Sequence, residues 1–129
     1  MNHVLTWFEI PVADMARAKS FYATLMDLQM RDESMSTPDG SHYDMAILAG
    51  EEGCVTGMLI KGKGYNPAVD GAVVYLNGGS DIEARLATAL ENGAELLLPK
   101  TSVDGGSKGY FCQFRDTEGN RVGLYSAPQ

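Results

Sequence analysis

The 129-residue sequence is poor in the residues that build disulfide scaffolds, metal centres or nucleic-acid interfaces. It contains two cysteines and two histidines, and 17 acidic residues outnumber 10 basic ones, which gives a formal net charge of −7. Because nucleic-acid phosphates repel such a chain, we expect no nucleic-acid partner. An anionic membrane surface is disfavoured for the same reason.

Long apolar runs and targeting signals are also missing. No stretch approaches the roughly 18–20 apolar residues of a transmembrane helix, so we expect no membrane span. The first residues lack a basic start followed by an apolar core, which predicts no secretory signal and a cytoplasmic protein. A disulfide between Cys54 and Cys112 is one alternative, but in that reducing compartment we expect both to be free, buried thiols.

What the sequence does contain is an ordinary globular composition arranged as a repeat. Apolar residues make up 44% and charged residues 21%, and the length suits one domain over residues 1–129. Hydrophobic periodicity predicts the order strand–helix–strand–strand–strand twice, with helix entries at Asp14 and Asp81. The first module covers residues 1–61, a Gly- and Pro-containing linker covers 62–70, and the second module covers 71–129.

Local signals place the elements of each module. Asp14 is a predicted helix N-cap, and the apolar stripe after it ends near Met26. In the second module Ser80 and Glu83 form a predicted capping box, and Gly93 suits the end of that helix. The strands are predicted at 3–12, 28–35, 42–49, 54–61, 72–77, 94–103, 108–115 and 121–126.

The repeat and two sequence runs, Phe8–Tyr22 and Asp116–Tyr125, resemble the vicinal oxygen chelate superfamily of glyoxalase I, bleomycin-resistance proteins and extradiol dioxygenases. The resemblance implies an α+β fold of two tandem βαβββ modules, with mixed β-sheets curled around a pocket. It also implies a homodimer in which two chains complete the cavity. It is specific for the fold, whereas the activity has to be argued from the site.

In that family a divalent metal is held by His, Glu or Gln side chains from the strands. The resemblance places the matching positions at Trp7, Ala72 or Val73, Gly123 and residues 56–58. Indole, methyl and hydrogen cannot replace imidazole or carboxylate ligands. We therefore expect no metal cofactor, and a divalent metal only if it is held by ligands outside these positions.

A different metal site would need His42. The run His42-Tyr43-Asp44 has the His-x-Asp spacing of a facial triad, which requires a second imidazole, and His3 is the other histidine of the chain. The simpler interpretation is that His42 is a polar strand residue near a turn.

Period-two alternation then identifies candidate site residues. Trp7 and Glu9 share the strand face opposite the helix, and a carboxylate in a partly dry cavity would suit a general acid or base. The alternative is that Glu9 is solvated at a rim, or paired with Arg121 or Arg17. Lys100 supplies a positive charge either at a pocket mouth or on the surface. The candidate ligand-binding residues are Trp7, Tyr75, Asn77, Gln113, Arg121, Tyr125 and Met58.

Three functions remain open at this stage. The first is metal-free binding of a small, partly apolar molecule in the sheet cavity. The second is a glyoxalase-related lyase or another enzyme that uses Glu9 as general acid or base. The third is a structural or regulatory protein whose pocket its own side chains fill. Binding ranks above catalysis, because glyoxalase chemistry relies on a metal to stabilise an enediolate.

Overall fold

The computed structural model describes residues 3–128, in which the order βαβββ occurs twice. The chain divides into two compact units between Pro67 and Ala68, within the predicted linker. The first unit contains β1 (Phe8–Pro11), α1 (Met15–Met26), β2 (Met30–Ser36), β3 (His42–Leu48) and β4 (Gly57–Lys61). The second contains β5 (Val74–Asn77), α2 (Ile82–Glu91), β6 (Glu95–Ser102), a short 3-10 turn (Asp104–Gly106), β7 (Tyr110–Arg115) and β8 (Arg121–Ser126).

The first unit is a mixed four-stranded sheet, in the order β1-β4-β3-β2, with α1 packed on it. The helix begins where the Asp14 carboxylate accepts a hydrogen bond from the Arg17 amide at 3.1 Å, and it ends at Asp27, whose φ is 51°. As the apolar stripe predicts, one helix face is buried. The core formed with the sheet comprises Ala18, Phe21, Tyr22, Leu25, Ile10, Ala46, Leu48 and Leu59.

The second unit repeats this plan, in the strand order β5-β8-β7-β6 with α2 on one face. In both sheets the first and last strands of the unit pair in parallel, and the remaining pairs are antiparallel. The core of this unit comprises Leu76, Ile82, Leu86, Ala89, Cys112, Phe114, Val122 and Leu124. The predicted α+β fold of two tandem βαβββ modules is therefore confirmed.

Three local predictions were wrong. Asp81, rather than Ser80, caps α2, because its carboxylate accepts from the Ala84 amide at 3.1 Å and takes the place that the capping box assigned to serine. Cys54 is exposed, since it lies in the loop between β3 and β4, whereas Cys112 is buried as expected. The first strand begins at Phe8, so residues 3–7 lie outside it.

Neither α1 nor α2 has the length and apolar character that a membrane crossing requires, and the structure describes no other α-helix in residues 3–128.

Candidate functional site

Each sheet has one face that the helix of its own unit covers and one face that this helix leaves open. Because side chains alternate along a strand, the residues between the buried ones lie on the open face. We call these surfaces the first open face, on the β1-β4-β3-β2 sheet, and the second open face, on the β5-β8-β7-β6 sheet. Most of the predicted site residues lie on one or the other.

On the second open face, three predicted residues form a chain of hydrogen bonds. The Arg121 guanidinium donates to Gln113 Oε1 at 2.8 Å, and Gln113 Nε2 donates to the Tyr75 hydroxyl oxygen at 2.6 Å. Arg121 Nε also donates to the Val69 carbonyl at 3.4 Å. Strand pairing accounts for the meeting, because Gly123 is the register partner of both Tyr75 and Gln113.

This chain of bonds has a direction. A guanidinium can only donate, so the carbonyl end of Gln113 must face Arg121 and the amide nitrogen must face Tyr75. The Tyr75 oxygen is then an acceptor within the protein, and its own proton is left to donate to a further group. Since the chain begins at a permanent positive charge, it strengthens that donor. Tyr75 is 43% exposed, so a bound molecule can reach it.

The Tyr75 ring also covers Gly123. A Cβ placed on Gly123 would overlap Cδ1 and Cε1 of that ring, and Gly123 is buried. The Phe111 ring stands edge-on to Tyr75, with 6.1 Å between ring centroids. At this position the family resemblance expects a metal-binding carboxylate, and an aromatic ring occupies the space instead.

Asn77 and Tyr125 also pair in register, two residues further along β5 and β8 than Tyr75 and Gly123. The Tyr125 hydroxyl donates to the Lys108 carbonyl at 2.7 Å, and Asn77 Oδ1 accepts from the Gly79 amide at 2.9 Å. Both polar groups thus hold loop backbone. Their predicted contact with a ligand stays a prediction.

The first open face carries a carboxylate and tyrosines. Glu9 is exposed, and its carboxylate lies near the Tyr65 hydroxyl. The negative charge of Glu9, with a smaller contribution from desolvation, raises the pKa of Tyr65 above its ordinary value. The Tyr43 ring stands edge-on to Tyr65 at 5.9 Å between centroids. The partly dry environment expected for Glu9 is therefore not found, because the Glu9 side chain itself is exposed.

Trp7 and Met58 complete the predicted set. Trp7 is 40% exposed, directly before β1, and Met58 is 8% exposed and pairs in register with Glu9. Sequence reasoning missed Tyr65, because it lies in the segment interpreted as a linker. It also missed Phe111, although strand alternation from Gln113 places Phe111 on the same face.

The residues at the family's ligand positions do not fit a divalent metal. Trp7 and Gly123 offer neither imidazole nor carboxylate, and Tyr75 fills the space beside Gly123. In residues 3–128, no group of three or more His, Cys, Asp and Glu side chains is placed to hold a metal ion. His42 instead contacts Asp44 at 3.0 Å and Ser36 at 3.4 Å, on an exposed strand end.

Comparison with known proteins agrees with this architecture. The family profile described as Glyoxalase/Bleomycin resistance protein/Dioxygenase superfamily matches residues 1–124. A search of the curated proteins found no match.

Among solved structures, a glyoxalase family protein from Bacillus cereus is 16% identical with a TM-score of 0.75, over 97% of this chain and 94% of that one. A glyoxalase/bleomycin resistance protein from Albidiferax ferrireducens is 18% identical with a TM-score of 0.68, over 98% of this chain and 100% of that one. TnmS3, an antibiotic binding protein from Streptomyces, is 20% identical with a TM-score of 0.62, over 98% of each chain. At these identities the likeness concerns the fold.

Proposed function

Because the chain belongs to the Glyoxalase/Bleomycin resistance protein/Dioxygenase superfamily, we propose that it binds a small, partly apolar molecule on its second open face without the family's metal ion. The observation that carries this proposal is the chain of hydrogen bonds from Arg121 through Gln113 to Tyr75. It orients one hydroxyl donor on a face that also presents aromatic rings.

The chemistry of this face defines the class of ligand. Tyr75 and Phe111 provide apolar contact area, and the Tyr75 proton needs an acceptor such as a carbonyl or phenolate oxygen. Apolar walls with a few fixed polar groups are typical of small-molecule sites. Binding of this kind needs no Lewis acid. The fold is shared with TnmS3, which is named an antibiotic binding protein, and this also supports a small-molecule ligand.

The test compares two probes that differ in one acceptor. Acetophenone carries a carbonyl oxygen, whereas ethylbenzene has a similar size and no acceptor. We expect acetophenone to shift the Gln113 side-chain amide resonances in a saturable way and to bind roughly tenfold more tightly than ethylbenzene. Tyr75→Phe keeps the ring, removes the donor and should abolish that difference.

Arg121→Gln tests whether the charge at the start of the chain matters, and Arg31→Gln is its matched control. Arg31 is exposed on β2 of the first unit and lies 3.4 Å from Glu33. We expect Arg121→Gln to weaken acetophenone binding by about threefold to tenfold and Arg31→Gln to leave it unchanged. Equal binding of both probes by the unaltered protein would contradict the proposal. So would stoichiometric divalent metal in purified protein that binding requires.

A second candidate, a lyase or other enzyme, is favoured by the contact between Tyr65 and Glu9. In this alternative the Glu9 carboxylate accepts a proton from substrate, and Tyr65 positions it. Formation of S-lactoylglutathione from the methylglyoxal–glutathione adduct is the direct assay. Glu9→Gln should abolish turnover while the far-ultraviolet circular dichroism spectrum stays unchanged, whereas no turnover by the unaltered protein argues against this candidate.

The third reading, a structural or regulatory protein with a filled pocket, predicts that neither probe binds. The homodimer and the cytoplasmic location remain predictions from the family resemblance and from composition. Sedimentation equilibrium across a range of concentrations measures the first, and fractionation of the source cells measures the second.

A further inference from the structure

A cleft of about 340 Å³ opens in the second unit, where α2 begins and β8 ends. It lies away from the second open face, since Ser126 alternates in phase with Val122 and Leu124, which are buried in the core with α2. Its lining residues are Ser80, Asp81, Ile82, Lys100, Tyr110 and Ser126. The function proposed above uses none of them.

The Ser126 hydroxyl is the unusual group in this cleft. Ser126 is 2% exposed, and within residues 3–128 its Oγ has no hydrogen-bond partner. Its neighbour Gly78 leaves room for the hydroxyl, because a Cβ on Gly78 would lie 2.7 Å from Ser126 Oγ. Buried hydroxyls are nearly always satisfied, so an unpaired one at the wall of a cleft indicates a partner that enters from the cleft.

Groups that can donate to an anion lie at the same place. Lys100 Nζ stands 4.6 Å from the centroid of the Tyr110 ring, which holds the ammonium group at the cleft. The first turn of the ten-residue helix α2 also begins here, and the amides of a first turn have no acceptor within their helix. Asp81 accepts the Ala84 amide at 3.1 Å, and the amides of Ile82 and Glu83 come earlier in that turn.

The charges that line the cleft restrict the occupant. Lys100 contributes one positive charge and Asp81 one negative charge, so a multiply charged anion is less well matched than a singly charged one. We propose that the cleft binds a singly charged oxyanion, a carboxylate or a phosphodiester group, through the Ser126 hydroxyl, the Lys100 ammonium group and the first-turn amides of α2.

Titration of the full chain with acetate and with dimethyl phosphate at constant ionic strength tests this site. We expect at least one probe to produce saturable amide shifts at Ile82, Glu83 and Ser126, with dissociation constants in the millimolar range. Tighter binding of acetate identifies a carboxylate occupant, and tighter binding of dimethyl phosphate identifies a phosphodiester. Methylammonium chloride is the cation control, and saturable shifts with it instead of the anions would overturn the proposal.

Two variants separate the site from general charge effects. Ser126→Ala should weaken the preferred probe by roughly fivefold to tenfold, while the thermal midpoint without anion stays equal or rises, since an unsatisfied hydroxyl has been removed. Lys100→Gln should weaken it by about tenfold, and Lys63→Gln, an exposed lysine of the first unit, should not. No saturable shift with either anion, or equal affinity in Lys100→Gln and Lys63→Gln, would show that the cleft is not an anion site.

Discussion

The two open faces are built on the same strand order but use tyrosine in opposite ways. On the first, the Tyr65 hydroxyl lies near the Glu9 carboxylate, whose negative charge favours the protonated tyrosine. On the second, the Tyr75 hydroxyl oxygen accepts from Gln113, which itself accepts from Arg121. One tyrosine therefore faces an anion, and the other accepts a hydrogen bond through its oxygen and can donate its proton to a ligand.

The difference shows that two units with the same strand order can carry different chemistry on their open faces. Glu9 pairs with Met58 across β1 and β4, and Tyr75 pairs with Gly123 across β5 and β8, so the two faces share positions and differ in chemistry. An exposed anion such as Glu9 suits proton transfer or solvation. A tethered cation that polarises a hydroxyl suits recognition of an acceptor. The second unit is accordingly the better candidate for ligand binding.

The largest effect on stability is expected at the buried turn between β7 and β8 of the second unit. Asp116 is 4% exposed and accepts from the amides of Glu118 and Asn120 and from the Asn120 side chain, at 2.8–3.1 Å. Asp116→Ala leaves these donors unpaired and should cost about 3 kcal/mol in the free energy of unfolding, measured by urea denaturation.

The first unit has an exposed turn aspartate, Asp39, between β2 and β3, and its carboxylate accepts from the Ser41 amide at 2.9 Å. A hydrogen bond from the Thr37 hydroxyl lowers the pKa of Asp39. Water can replace these bonds, so Asp39→Ala should cost much less than Asp116→Ala in the free energy of unfolding. Equal costs for the two substitutions would remove this distinction between the units.

The two thiols sharpen the comparison by their reactivity. Cys54 is exposed in the first unit, whereas Cys112 lies in the core of the second, where burial raises the pKa of its thiol. Because the thiolate is the reactive form, we expect iodoacetamide to label Cys54 about a hundredfold faster than Cys112. Peptide mass spectrometry over time measures both rates. Similar rates in native protein would mean that the second core opens readily.

Gly123→Ala tests whether the Tyr75 ring occupies the site where a side chain would stand. The added Cβ overlaps the ring, so the substitution should cost about 2 kcal/mol in the free energy of unfolding. Gly50→Ala is the matched control, since its Cβ would meet Thr56 at an ordinary 3.7 Å. In a Tyr75→Ala background the cost of Gly123→Ala should fall below about 1 kcal/mol. An unchanged cost in that background would place the strain elsewhere.

The sequence predicted most of what depends on local pattern. Asp14 caps α1, and the apolar stripe of that helix is buried, because both follow from helical spacing alone. Strand alternation also placed Tyr75 and Arg121 on the cavity sides of their strands, and Gln113 was a further candidate ligand-binding residue. The hydrogen bonds among Tyr75, Gln113 and Arg121 could not be predicted from the sequence, because they depend on the register that joins β5, β7 and β8.

The features that the sequence could not predict depend on the path of the chain outside its helices and strands. Tyr65 lies in a Gly-rich segment with no periodicity, so nothing indicated that it would reach Glu9. Asp81 rather than Ser80 caps α2 because the helix begins one residue later than the capping box predicts, and sequence patterns do not fix a helix end to one residue. The unpaired Ser126 hydroxyl depends on how the end of β8 meets Gly78, which is a tertiary property.

The smallest expected effect concerns the tyrosine of the first open face. Glu9→Gln removes the charge that contributes most to the raised pKa of Tyr65, so that pKa should move down toward its ordinary value. Ultraviolet absorbance across an alkaline titration measures the change, and Glu51→Gln, an exposed loop residue, is the control.

Glu9 and Tyr65 also predict the direction in which the free energy of unfolding changes at alkaline pH. Tyrosine in the unfolded chain loses its proton near pH 10, before Tyr65 in the folded protein does. Above that pH the unfolded state therefore binds fewer protons, and the free energy of unfolding falls as pH rises toward the folded pKa. Glu9→Gln narrows the pH range between the unfolded and the folded pKa of Tyr65. The free energy of unfolding should therefore fall less steeply with pH in this variant. A decline that is identical in Glu9→Gln and in the unaltered protein would mean that Glu9 does not hold the Tyr65 proton, and the contrast between the two open faces would lose its basis.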